Sequence, residues 1–90
     1  LRIKGDSMSP RIMEGDIVIV QKTSTVNSGE LAVVLVNSES ATVKKYIRHD
    51  NGISLISFNS SYEPMFFTAS EIESLPVSVI GKVVESRAKF

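Results

Sequence analysis

The feature that most narrows what this chain can fold into is the length and make-up of its apolar runs. Ile17-Val18-Ile19-Val20 and Leu31-Ala32-Val33-Val34-Leu35-Val36 are the longest, and both have the length of a strand. The first is wholly β-branched, which suits a pleated, buried surface. Neither approaches the ~18 apolar residues that a membrane-crossing helix needs. Nowhere do apolar residues hold a sustained helical period.

Turn residues divide these runs. Gly15-Asp16 precedes the first, and Asn27-Ser28-Gly29 precedes the second. Asn37-Ser38-Glu39-Ser40 has hairpin-loop length, and Asp50-Asn51-Gly52 offers an Asn-Gly pair suited to positive φ. The pattern predicts strands over residues 17–20, 30–36, 41–49, 53–58, 65–68 and 77–85. Gly81, inside the last, marks a bend, bulge or close backbone approach. Residues 11–15 read as irregular and 59–64 as a long polar connection. Ser70-x-x-Glu73 can cap one helical turn, which Pro76 ends. Strands joined by short loops, without alternating helices, predict an all-β fold: a small curled sheet or partly open barrel.

Ninety residues make one domain, 1–90, without linker, repeat or low-complexity tract. Ten basic and ten acidic residues cancel, so this chain by itself carries no charge footprint for nucleic acid. The lack of cysteine excludes a disulfide framework and a thiol nucleophile, and suits the expected cytoplasmic location. No secretory signal opens the chain, and a start at Leu1 predicts a fragment or a processed product.

Gly5-Asp6-Ser7-Met8-Ser9-Pro10 is a polar turn whose glycine and proline suit a rigid presentation of Ser7. A serine hydroxyl needs a base to become a nucleophile. The single histidine, His49, stands beside Asp50-Asn51-Gly52 and reads as a solvent-exposed turn residue. One histidine and no cysteine build no metal site. The other available base is a lysine kept neutral by burial. Lys44 and Lys45 lie in a predicted strand among Ala41, Val43, Tyr46 and Ile47. Alternation groups Lys45 with Val43 and Ile47, and Lys44 with Thr42 and Tyr46, so periodicity alone favours Lys45 as the inward one.

The remaining polar positions read as structural. Asp6, Glu14 and Asp16 are turn carboxylates, and Asn59 and Tyr62 lock the long loop. Met8 either packs beneath the serine turn or contacts substrate. Phe66 and Phe67 are adjacent and cannot both face inward, so one marks a surface patch. The late strand 77–85 is the candidate exposed edge for pairing with a second subunit, through Val77, Val79, Gly81 and Val83.

Five motifs, in order, carry a resemblance: Gly5-Asp6-Ser7-Met8, Gly15-Asp16-Ile17-Val18, Thr42-Val43-Lys44-Lys45, Asn59-x-x-Tyr62-x-Pro64 and Ile80-Gly81-x-Val83. Together they resemble the LexA-type self-cleaving family, peptidase family S24, over essentially the whole chain. That family groups peptidase domains of SOS repressors, phage repressors and the SOS mutagenesis polymerase subunit. The resemblance puts Ser7 at the nucleophile and Lys44, directly after Thr-Val, at the general base. It implies backbone N–H groups of Asp6 and Ser7 as the oxyanion hole, with Met8, Asn59 and Tyr62 in support.

The implied activity is a Ser–Lys dyad that cleaves its own chain upstream of the domain, without cofactor or metal. The implied partners are a second copy of the chain, through the C-terminal strands, and an activated recombinase filament as inducer. DNA would be bound only through an N-terminal domain that precedes this chain, and no membrane is involved. The family cleaves at Ala-Gly or Cys-Gly; neither dipeptide occurs here, so the substrate segment is expected before Leu1. The rival readings are a polymerase-subunit-like protein, a dimerisation-only domain with an idle dyad, and a signal peptidase.

Overall fold

A computed structural model describes residues 2–3, 5–38 and 41–88. The apolar runs become strands β1 (Ile17–Lys22) and β2 (Leu31–Val36). They are followed by β3 (Ala41–His49), β4 (Gly52–Ile56), β5 (Met65–Thr68), the short helix α1 (Ala69–Ser74) and β6 (Val77–Arg87). The strands form one antiparallel sheet in the order β1-β6-β2-β3-β4-β5, which is not closed into a barrel. The fold is all-β with one helical turn and a half, as the strand pattern predicts. Among the described residues, no helix is long and apolar enough to cross a membrane.

Ala32, Val33 and Val34 are consecutive in β2 and are all buried. Successive side chains on a strand point to opposite faces, so this part of the sheet is covered on both. One face carries Val18, Val33 and Val43 beneath Ile3, Met8 and Ile12 of the chain preceding β1. The other carries Ala32, Val34, Ile53, Leu55 and Val77, with Val26, Ile72 of α1 and its C-cap Leu75. The segment that holds the serine turn is thus one of the two lids on the sheet.

Several sequence expectations are corrected. β6 is not an edge: it pairs with β1 on one side and with β2 on the other. Val77 and Gly81 are buried, Val79 packs on the second cluster and Val83 on the first. The late strand 77–85 is therefore interior, and the two ends of the sheet are β1 and β5. The helix cap is Thr68, not Ser70. β5 runs straight into α1, so its last residue already has the extended backbone an N-cap requires, and Ser70 lies inside the helix. Thr68 Oγ1 accepts from the Glu71 N–H at 3.2 Å, and Glu71 Oε1 accepts from the Thr68 N–H at 3.0 Å.

The β3–β4 hairpin forms, but neither Asn51 nor Gly52 has positive φ; Asn37 and Ser38 of the β2–β3 turn do. Glu39 and Ser40 of that turn lie outside the described residues. Gly52 is needed for a different reason: it sits inside the sheet opposite Thr68, where a Cβ would run into the Phe67 carbonyl. At Gly81 a Cβ would run into the Val20 side chain, so that glycine does mark a close approach. Register shifts on either side of Gly81 leave Ile80 and Val84 as the extra residues of two β-bulges.

Candidate functional site: the serine turn and Lys44

Residues 5–16 wind into a compact turn without regular secondary structure. The Ser9 N–H donates to the Asp6 carbonyl at 3.1 Å, and the Ile12 N–H to the Met8 carbonyl at 2.9 Å. The ends are tied by Ile3 N–H to Asp16 O at 2.9 Å and Gly15 N–H to Ile3 O at 2.8 Å. Two carboxylates close it locally: Glu14 accepts from the Gly5 N–H at 3.1 Å, and Asp16 from the Met13 N–H at 2.9 Å. Met8 and Ile12 drive the turn onto the sheet, each 2% exposed within the first cluster. Of the two readings of Met8, packing beneath the serine turn is the one these contacts show.

Ser7 is left half-buried at the top of this turn, 2.8 Å from Lys44 Nζ through its Oγ. Lys44 comes from the middle of β3, opposite Ala32 of β2, and is 7% exposed. Burial pushes its ammonium below the usual lysine range, because a charged group loses hydration there. A lysine depressed in this way and in contact with a serine hydroxyl can exchange a proton with it.

Alternation favours Lys45 only if the strand has one buried face. Here Val43 and Lys44 are both buried, on a stretch covered from both sides, and Lys45 is half-buried opposite Leu31 and Ile56. His49 is elsewhere: its Nε2 is 2.8 Å from Ser54 Oγ, and its ring leans on Phe66 with centroids 5.8 Å apart. Phe66 is exposed while Phe67 packs against the second cluster. Among the described residues, no group of three or more His, Asp or Glu side chains is placed to hold a metal ion.

The long loop after β4 does more than lock itself. The Asn59 N–H donates to the Ser7 carbonyl at 2.9 Å, and its side-chain Nδ2 to the Asp6 carbonyl at 3.0 Å. Its Oδ1 accepts from the Ser61 N–H at 2.9 Å. The Tyr62 hydroxyl donates to the Asp6 carboxylate; that hydrogen bond favours the protonated phenol and, with the nearby anion disfavouring phenolate, raises it above its usual range. The Arg11 guanidinium lies 5.0 Å from the Phe58 ring centroid, within cation–π range. Sequence reading flagged Asn59 and Tyr62 as a spaced pair; it had no means of pairing Tyr62 with Asp6 or Arg11 with Phe58.

Comparison with known proteins agrees on one group. The family model described as Peptidase S24-like matches residues 1–84. The chain is 40% identical over 85 residues to the LexA repressor of Bacillus cytotoxicus, covering 93% of the chain and 38% of that protein. It is 40% identical over 74 residues to the LexA repressor of Clostridioides difficile, covering 81% and 35%. Against the LexA repressor of Halalkalibacterium halodurans it is 36% identical over 85 residues, covering 93% and 38%. The chain therefore spans less than two fifths of the length of these curated relatives.

Proposed function

The chain belongs to the peptidase S24-like family, and from that premise we propose that it is a self-cleaving serine peptidase domain of a LexA-like repressor. The observation that carries the reading is the 2.8 Å contact between Ser7 Oγ and the Nζ of a buried, pKa-depressed lysine. Deprotonated Lys44 takes the hydroxyl proton as Ser7 Oγ bonds to the scissile carbonyl carbon. The tetrahedral oxyanion, held by the N–H groups of Asp6 and Ser7, collapses with loss of the C–N bond. Lys44 returns the proton to the leaving amine, and the neutral Lys44 amine then takes a proton from a water that cleaves the acyl-ester, passing it back to Ser7 Oγ.

The substrate is a segment of the same protein upstream of this domain. An activated recombinase filament promotes the cleavage, and a separate N-terminal domain binds DNA. The test is autocleavage of the full-length protein at alkaline pH. Ser7→Ala and Lys44→Ala should each reduce the rate by about three orders of magnitude or more, whereas Lys45→Ala should leave it near that of the unaltered protein. Normal cleavage by Lys44→Ala with loss in Lys45→Ala would move the base to Lys45.

The domain also dimerises in this reading. Support comes from apolar side chains left in solvent on neighbouring strands: Ile17 and Ile19 of β1 and Ile80 and Val84 of β6, each 38–52% exposed.

A further inference from the structure

Asn59 holds the carbonyls on both sides of the Ser7 Cα, the Asp6 carbonyl through Nδ2 and the Ser7 carbonyl through its own N–H. The Asp6–Ser7 peptide is trans, so its N–H and C=O point in opposite directions from one rigid plane. Fixing the Asp6 carbonyl toward Asn59 and the Ser9 N–H therefore fixes the Ser7 N–H to point the opposite way within that plane.

We propose that Asn59 is a positioning residue for catalysis: by gripping both carbonyls it aims the Ser7 N–H at the developing oxyanion, and Tyr62 steadies the grip through the Asp6 carboxylate. The inference rests on the Ser7–Lys44 reading and adds what sets the geometry of its donor. Three features separate this arrangement from ordinary loop bracing. Both bonds from Asn59 go to the peptides that flank the nucleophile. The third, from Ser61 to Asn59 Oδ1, fixes the amide so that its NH2 faces Asp6. Tyr62 reaches the same residue, Asp6, from three positions further along the loop. An oxyanion donor is effective only when aimed in advance at where the charge appears. A tilt of the 6–7 peptide would weaken it without moving Lys44, whose placement depends on β3 and not on this loop.

The test is labelling of Ser7 in this chain by a fluorophosphonate. Ser7 Oγ bonds to phosphorus, the P–F bond breaks, fluoride leaves, and the hydroxyl proton passes to Lys44. The phosphoryl oxygen then occupies the oxyanion position. Asn59→Asp keeps the acceptor for the Ser61 N–H but removes the NH2 donor. We expect its labelling rate on the alkaline plateau to fall about tenfold or more, with the pH midpoint set by Lys44 unchanged. A plateau within about twofold of the unaltered chain overturns the proposal. So does a slow rate accompanied by a displaced midpoint, which would place the defect at Lys44. If Asn59→Asp loses the amide dispersion of a folded chain in its NMR spectrum, Tyr62→Phe decides. That change deletes one exposed hydroxyl: a lower plateau with the same midpoint supports the proposal, and an unchanged plateau overturns it. Failure to label the unaltered chain, or equal labelling of Ser7→Ala, instead overturns the Ser–Lys reading, and the inference falls with it.

Discussion

Lys44 brings an ammonium to a place where 7% of the residue meets solvent, and it costs the fold to keep it charged there. With its pKa pushed down by burial, Lys44 releases its proton at a lower pH than an ordinary lysine, which titrates near about 10.4. Autocleavage should therefore rise with pH and level off below that value; a rate still climbing as an unperturbed lysine would, or flat from neutral pH upward, would contradict a neutral-lysine base. The same shift has a stability consequence of definite sign. Stability present above the unfolded-state lysine pKa is lost as pH falls toward the lower folded-state value, since the unfolded chain takes up the proton first. Lys44→Met should then melt higher than the unaltered chain at pH 7, by about 4–8 °C for each kcal/mol of relieved burial. The difference should narrow as the pH approaches 10. Thermal melts at several pH values read this directly. Tyr62 is shifted upward by its hydrogen bond to the Asp6 carboxylate, the direction opposite to that of Lys44.

At the level of elements, the most exacting position is the start of β4. Gly52 packs so closely against β5 that any side chain meets the Phe67 carbonyl, a backbone atom that cannot swing aside. Gly52→Ala should separate β5 from β4 and loosen α1, which is capped by the last residue of β5. The expected loss is about 1–3 kcal/mol, measured by urea denaturation, with Asn51→Ala in the exposed turn as the milder comparison. A loss no larger at Gly52 than at Asn51 would show that the sheet accommodates the extra carbon. This position was legible from sequence only as a turn glycine. The Asn-Gly pair marks the hairpin correctly, yet the reason for glycine comes from a strand thirteen or more residues later. The bulged strand β6 has a similar history: Gly81 signalled irregularity, but no local pattern could give it neighbours on both sides.

Across the whole molecule, the six-stranded sheet ends on β1 and β5, and Ile17, Ile19, Ile80 and Val84 are left in solvent. Self-association that buries Ile19 and Val84 would gain about 1.5–3 kcal/mol for each side chain fully covered. Replacing both with lysine should therefore weaken it by about tenfold or more, without disturbing the two clusters, to which neither belongs. Sedimentation equilibrium of the full-length protein measures this, and an unchanged dimer would place the contact elsewhere. Autocleavage by the doubly substituted protein should persist, because the proposed substrate segment is in the same chain.

The sequence by itself determined the class of fold and most of its strands. β-Branched runs of strand length, cut by Gly, Asn and Asp, leave little but an antiparallel sheet, and β3 and β5 begin and end where the pattern says. It also marked Ser7, Lys44, Asn59 and Tyr62, though the choice of Lys44 over Lys45 rested on resemblance and not on periodicity. Only the tertiary structure decided what these residues touch. Alternation along β3 misleads because the N-terminal segment and the α1 side bury the sheet on both faces, a fact no strand records about itself. The 2.8 Å separation of Ser7 and Lys44, 37 positions apart, joins a turn anchored by Met8 and Ile12 to the middle of β3. The grip of Asn59 on both sides of Ser7 likewise needs a loop from beyond β4 to return across the turn. Contacts between distant segments depend on how curved surfaces close over one another, and that closure is a property of the packed whole.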